Sequence, residues 1–341
     1  MKHPILIVLG GTLASLIAIP QMAASLARSA WPENNTLRET DEIRQTFKLA
    51  PGTRVDISNI RGPVDIETSS NDTAEIVITR TAESSAALQQ DKIIIENKSG
   101  RLVIRGEVLP PAPDKMVDVS HHAKLKLPRN INLTTTSIGG PVQFGDLDGQ
   151  FEANSVSGSI KAGAVSGMVQ MSSVSGGVRL SKVAQKAGFK SISGDLNIAL
   201  VGGPLDISGV SGTVTLDHVA QRADIKNVSG NLKIGRADDS LDISGVSGDL
   251  SAGIAKLGAR GVQISNVSRE VELRFKGEVN AQFSAKSFSS SVSVDLPNVS
   301  IEDKSAAVMR ARIGKGGPPI SINSVSGAVR LLLDTQTRSQ E

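Results

Sequence analysis

The sequence contains no cysteine and no tyrosine, a single tryptophan (Trp31) and seven phenylalanines. Without cysteine there can be no structural disulfide, no thiol nucleophile and no lipid-modified lipoprotein cysteine. The scarcity of aromatics counts against sugar clefts built on aromatic platforms, and against nucleic-acid surfaces that stack bases. No charge sign dominates either. The 37 Lys and Arg against 34 Asp and Glu leave a formal charge of +3. Basic and acidic residues alternate along the chain instead of forming a block, so no nucleic-acid partner is expected. Histidine is confined to His3, His121, His122 and His218.

The start of the chain has the pattern of a secretory signal. Lys2 and His3 precede an apolar run over 5–19, Pro20 breaks it, and Ser25-Leu26-Ala27 offers a small-residue recognition site, with Ala24 as a second candidate. An uncleaved anchor is the alternative. The run is short for a spanning helix and carries Gly10 and Gly11, which favours cleavage and leaves no membrane span afterwards. The expectation is a bacterial protein that is exported and periplasmic, cell-envelope or secreted. Its parts are a signal peptide (1–27), a linker (28–42), an N-terminal β region or cap (43–135), β-solenoid repeats (136–334) and a polar tail (335–341).

The repeat is the strongest signal. Gly140, Gly158, Gly176, Gly194, Gly212, Gly230 and Gly248 follow one another at intervals of 18. Registers at Ser268-Arg269 and Ser289-Ser290 continue at a spacing of 21, and a last Val325-Ser326-Gly327 is expected to close the series. Each 18 divides into two nines. Counted from Ile192, positions 1, 5 and 7 are apolar in successive nonapeptides: Ile192, Leu196, Ile198; Val201, Leu205, Ile207; Val210, Val214, Leu216. Positions 5 and 7 alternate as in a strand with one buried face, and the three-residue step to the next position 1 marks a corner.

The pattern predicts an all-β, single-chain β-solenoid of 18-residue coils, each made of two nonapeptide strands. Like positions then stack at ~4.8 Å. About eleven coils would make a stack of ~50 Å, bonded coil to coil. A narrow interior lined by Val, Ile and Leu accounts for the missing aromatics. Glycine at position 3 is expected to supply positive φ at a corner. Open sheet ends call for caps, and the less regular strands over 53–58, 62–68, 74–80, 92–97, 101–107 and 123–127 supply the N-terminal one. Loops are expected at 109–114 and 314–319.

These features resemble a bacterial family of unknown function often labelled adhesins or β-strand-repeat proteins. The likeness runs through Phe47-Lys48-Leu49-Ala50-Pro51-Gly52, the Asn-x-x-Gly-x-Val-x-Ile phrase at 59–66, Leu125-Lys126-Leu127-Pro128 and the Ser-Gly-x-Val-x-Leu coils, covering about residues 45–333. The resemblance implies an exported envelope solenoid and brings no catalytic residues with it.

Few groupings carry chemistry. The serines at position 2 (Ser157, Ser175, Ser193, Ser211, Ser229 and Ser247) lack the elbow spacing of a hydrolase and a base for each, so a stacked hydroxyl ladder along a corner is the simpler expectation. Asp206, Asp224 and Asp242 share position 6 of alternate nonapeptides and are expected to form an outward acidic column. Two readings stand open for it: a cation or catalytic acid site, or a solvated ladder eased by Lys190 and Lys226. Calcium-binding nonapeptide solenoids place Gly and Asp together in the turn, which this sequence does not. Asp146, Asp148, Asp238 and Asp239 fit ordinary turn chemistry. His121 and His122 would face opposite ways on a strand, and His218 has only Asp217 beside it. No catalytic residue, metal ligand or cofactor is expected.

The sequence therefore points to a non-catalytic adhesin-like or scaffold protein. Its partner would be an envelope protein or glycan, or another copy met through the solenoid ends. The alternative is a polysaccharide lyase or hydrolase working through the Asp column.

Overall fold

The computed structural model describes residues 38–109, 118–289, 291–305 and 307–334. The expected signal peptide, most of the linker, nearly all of the 109–114 loop and the polar tail lie outside the described residues. The chain divides into Met1–Leu37, all of it outside them, and Arg38–Glu341, which carries the fold.

The described residues of this second unit form two sheets, of 14 and 15 strands, and one short helix. Through the repeats, successive strands alternate between the sheets and pair in parallel with the strand one coil away. Leu205–Val210 lies beside Ala223–Val228 in the 15-stranded sheet, and Val214–Val219 beside Leu232–Ala237 in the 14-stranded sheet, both offset by 18. The fold is the expected β-solenoid. Position 5, 7 and 1 residues of both sheets are buried and form one continuous aliphatic cluster from the N-terminal strands to Leu331. Among the described residues no helix is long and apolar enough to cross a membrane.

The narrow interior does admit phenylalanine, several times beside small inward residues. Phe151 and Phe189 are fully buried, with Ala153 and Ala187 as the second inward residue of their strands; Phe283 lies between Ala281 and Ala285. In these strands large and small side chains share the interior, whereas Phe275 is buried beside Val271 and Leu273.

The corners overturn one expectation. Glycine at position 3 is not a positive-φ residue. Positive φ falls instead at position 9 of every second nonapeptide: Ser137, Ser155, Ser173, Ser191, Gly209, Asn227, Gly245 and Asn266, all between +52° and +71°. This residue is skipped in the ladder of the 15-stranded sheet, so positions 8 and 9 both face out before position 1 turns in. The 14-stranded sheet skips position 8 instead, and its position 9 holds Leu200, His218 and Arg236 without positive φ. Two halves that look alike by hydrophobicity turn their corners differently. The position 3 glycines answer to stacking: a Cβ on Gly176 would lie 2.5 Å from the carbonyl carbon of Gly158, and one on Gly212 2.5 Å from the oxygen of Gly194.

A left-handed conformation strains any residue with a Cβ by about 1–2 kcal/mol, and glycine forgoes about 0.4–1 kcal/mol through its freer unfolded chain. Ser191→Gly, at an exposed φ of +52°, is therefore expected to raise stability by about 0.5 kcal/mol. Gly209→Ser should lower it by a similar amount. Paired thermal midpoints measure both.

The position 2 serines are exposed, and the corner is held by main-chain bonds rather than by a hydroxyl ladder. The N–H of Ser175 donates to Val156 O at 2.9 Å, and that of Ser211 to Ile192 O at 2.8 Å. Among these serines only the Ser157 hydroxyl has a side-chain bond, to Ile138 O at 3.3 Å.

The stack is not linear in sequence at either end. Pro319–Val325 lies between Val262–Val267 and Ala281–Phe288, and Val329–Leu333 between Val271–Phe275 and Val292–Asp295. The last Val-Ser-Gly coil is thus threaded inside, where both its edges are bonded, and does not close the series. The first coil is placed likewise. Arg54–Ser58 and Val64–Ser69 pair on one side with Asn132–Ile138 and Val142–Phe144, and on the other with Arg101–Val108 and Val119–Pro128.

Antiparallel strands finish three of the four sheet edges; the fourth, at the far end of the 14-stranded sheet, is the parallel strand Val292–Asp295. Glu39–Lys48 lies against Thr73–Ala82, and Asp91–Lys98 against Arg101–Val108; at the far end Val299–Lys304 lies against Val308–Ile313. The helix Ser85–Gln90, not foreseen from sequence, links two of these strands and buries Leu88 against Ala82 and Val119.

Candidate functional site: the outer faces of the sheets

With the interior filled by stacked side chains, polar chemistry is left to residues that face out of the sheets and to a cluster near the N-terminal strands.

On the 15-stranded sheet, position 6 places Asp206, Asp224 and Asp242 on consecutive strands as in-register partners, so the acidic column exists as expected. Gly188 precedes it and Gln263 follows. Lys186 Nζ is 2.8 Å from Asp206 Oδ2, and Arg222 Nη2 is 2.6 Å from Asp224 Oδ1. The hydrogen bond to Asp206, reinforced by its charge, holds the Lys186 ammonium above its ordinary pKa. The relief foreseen from Lys190 and Lys226 comes instead from these two corner residues. Lys190 and Lys226 line the same shallow groove, of about 500 Å³. Two of the three carboxylates are committed to cations. Among the described residues no three His, Asp or Glu side chains converge as metal ligands, the Asp column included.

The 14-stranded sheet presents the opposite sign. Lys161 and Arg179 are in-register neighbours at position 6, and Lys182 is exposed at position 9 of the second strand. Further along lie Lys233 and Arg236. His218 sits on this face, where it meets Asp238 and not the Asp217 beside it. Nε2 is 2.7 Å from Asp238 Oδ2, and Arg236 Nε donates to Asp238 Oδ1 at 2.7 Å. Arg236, then His218, hold the Asp238 carboxyl below its usual range despite partial burial. Asp238 is therefore more than a turn residue. Asp146 and Asp239 are turn residues: Asp146 accepts from the Ala164 N–H and Asp239 from the Ser240 N–H.

The buried polar cluster was missed from sequence. His121 and Asp91 are both inaccessible, with Nε2 2.5 Å from Asp91 Oδ2. The Arg61 N–H donates to His121 Nδ1 at 3.1 Å, so the ring proton of a neutral imidazole is on Nε2 and points at the carboxylate. Arg61 Nη2 donates to the same Asp91 oxygen at 2.7 Å. Burial, the largest influence on Asp91, pushes its pKa up; the hydrogen bond from His121, then the charge and hydrogen bond of Arg61, outweigh it and leave the carboxyl below its usual range. Oδ1 of Asp91 is buried without a hydrogen-bond partner in the structure. The sequence did carry a signal. In Val119, His121, Ala123, Leu125 and Leu127 the two-residue alternation puts His121 on the inward face. His122 faces out, as expected, with Nε2 2.7 Å from Asp65 Oδ2.

Fold and faces together define a β-solenoid with a sealed interior and two charged outer sheets. The chain belongs to the Toastrack DUF4097 family, whose model matches residues 53–332. Comparison with curated proteins finds no match. Among solved structures the chain is similar to a putative adhesin from Bacteroides fragilis NCTC 9343 (12% identity, 86% of this chain and 97% of that one, TM-score 0.28). It is similar also to a putative lipid binding protein from Parabacteroides distasonis ATCC 8503 (15%, 88% and 98%, 0.31). A third is a putative cell adhesion protein from Clostridium sporogenes ATCC 15579 (11%, 87% and 100%, 0.18).

Proposed function

We propose that this protein is an exported, non-catalytic solenoid of the bacterial cell envelope, acting as an adhesin-like or scaffold protein through its outer faces. The observation that carries the reading is the interior. It is filled by one continuous cluster of stacked apolar side chains, so a partner is met on the outer faces or at the ends. Three of the four sheet edges are finished by antiparallel strands, of which Glu39–Lys48 is rich in exposed charge, a device that blunts edge-to-edge pairing, and the fourth is the four-residue strand Val292–Asp295. That favours an envelope protein or glycan over another copy as the partner. Fractionation of cells carrying an epitope-tagged chain, followed by crosslinking from envelope extracts, should find the protein outside the cytoplasm with a partner attached. A cytoplasmic protein, or an exported one that captures nothing, overturns the reading.

The lyase or hydrolase alternative would need the Asp column free for proton transfer or cation binding, and Asp206 and Asp224 are ion-paired. Incubation with acidic polysaccharides, with and without calcium, is expected to release no product, and Asp224→Ala to change nothing. Product release abolished by Asp224→Ala would establish the enzyme instead.

A further inference from the structure

We propose that the outer face of the 14-stranded sheet is the binding face for an acidic polysaccharide lying along the stacking direction, seated on Lys161, Arg179, Lys182 and Lys233. The inference rests on the interaction-protein reading above and names its partner class.

A solenoid with an 18-residue period sets residues 18 apart side by side, so sequence-distant charges become neighbours. Like charges opposite one another on adjacent strands repel. On the 15-stranded sheet the chain relieves this itself, with Lys186 and Arg222 neutralising two members of the Asp column. On the 14-stranded sheet Asp238 neutralises Arg236, but the cations nearer the N-terminal strands are left unrelieved. Lys161 and Arg179 are direct in-register partners, Lys182 is three residues beyond Arg179, and among the described residues no carboxylate forms an ion pair with any of the three. The repulsion is left for something outside the chain to offset.

The shape of the strip narrows the partner. Between the position 6 and position 9 cations runs position 8, with Gly163, Ser181, Ala199, Asp217 and Gly235 on successive strands. Four of these five are small, which leaves a shallow floor parallel to the stack. From Lys161 to Lys233 is four inter-strand spacings, about 19 Å. A straight, narrow cationic strip fits a linear polyanion. Base stacking would require aromatics, and none lies on these strands. Membrane insertion would require exposed apolar side chains; among the described residues the large ones are Val108, Ile301 and Leu333, all outside this strip. An acidic glycan needs only the cations and the hydrogen-bonding floor. Asp217 is the one acid on the strip and should weaken the contact.

The test uses the full chain with polygalacturonate as probe, neutral dextran as control and phosphatidylglycerol vesicles as the competing surface. Polygalacturonate is expected to bind in a salt-sensitive way and dextran not at all. The triple variant Lys161→Gln, Arg179→Gln, Lys182→Gln should weaken binding about tenfold. Asp217→Asn should tighten it about two- to threefold, a gain that no loss of folding can produce. The double variant Lys190→Gln, Lys226→Gln on the other sheet should leave it unchanged. Absent binding, equal loss from both sheets, or tighter binding to the vesicles overturns the proposal. If polygalacturonate fails while the envelope crosslinking still captures a partner, this assignment falls and the interaction-protein reading stands; if both fail, both fall.

Discussion

Asp91→Ala is expected to destabilise the protein by about 3–5 kcal/mol at neutral pH, the cost of removing one partner of a buried ionic group. Asp91 and His121 are fully inaccessible, and the carboxylate receives both the imidazole Nε2–H and the Arg61 guanidinium. Truncation leaves the inaccessible Nε2–H of His121 without its acceptor, while the partly exposed Arg61 guanidinium loses its carboxylate partner. The effect should depend on pH in one direction. The folded-state pKa of Asp91 is depressed, so its stabilising contribution is present above the unfolded carboxylate value of about 3.9 and is lost as pH falls through the folded value. Denaturation midpoints of wild type and variant should lie far apart at pH 7 and draw together in strong acid. A gap that persists unchanged to the acid end would show that the charge of Asp91 is not what holds the cluster.

Gly176→Ala should cost about 3 kcal/mol, near the upper end of ordinary overpacking. Its Cβ would sit 2.5 Å from the carbonyl carbon of Gly158 and 2.6 Å from its oxygen, both main chain. Backbone already bonded into a coil cannot step aside as a side-chain tip can. The neighbouring glycine is the control: a Cβ on Gly177 meets only Asp195 O, at 3.5 Å, so Gly177→Ala should be close to neutral. The opposite corner mixes Gly149, Gly167 and Gly203 with Gln185, Gln221 and Asp239, so its backbone accommodates both kinds of residue. Equal midpoints for the two alanine variants would show that this corner adapts in the same way.

Much of the fold was legible in advance. The 18-residue period, the inward triplets such as Leu196, Ile198 and Val201, and the Asp206–Asp224–Asp242 column all follow from repetition, because each coil meets a near copy of itself. Of the candidate site, the column was visible and its counter-ions were not. Arg222 is as near to Asp224 in sequence as Lys226 is, and only the fold shows which of them pairs; Lys186 reaches Asp206 from one coil earlier. The His218 partner was misplaced for the same reason. Asp217 is adjacent in the chain and on the same outer face but makes no hydrogen bond with the ring, whereas Asp238 arrives from the next coil.

The sequence by itself thus determined the strands, their inward faces and the coil length, which are local consequences of burial alternating every two residues. Only the tertiary structure decided the rest. It showed that stacking contact and not positive φ requires the position 3 glycines, and that the first and last coils are threaded inside the stack. It set an acidic column on one sheet and a cationic strip on the other, and it joined Arg61, Asp91 and His121, residues 30 and 60 apart, in one buried cluster. Each of these depends on which coil lies against which, and that is set by packing between distant segments, not by the pattern within any one of them.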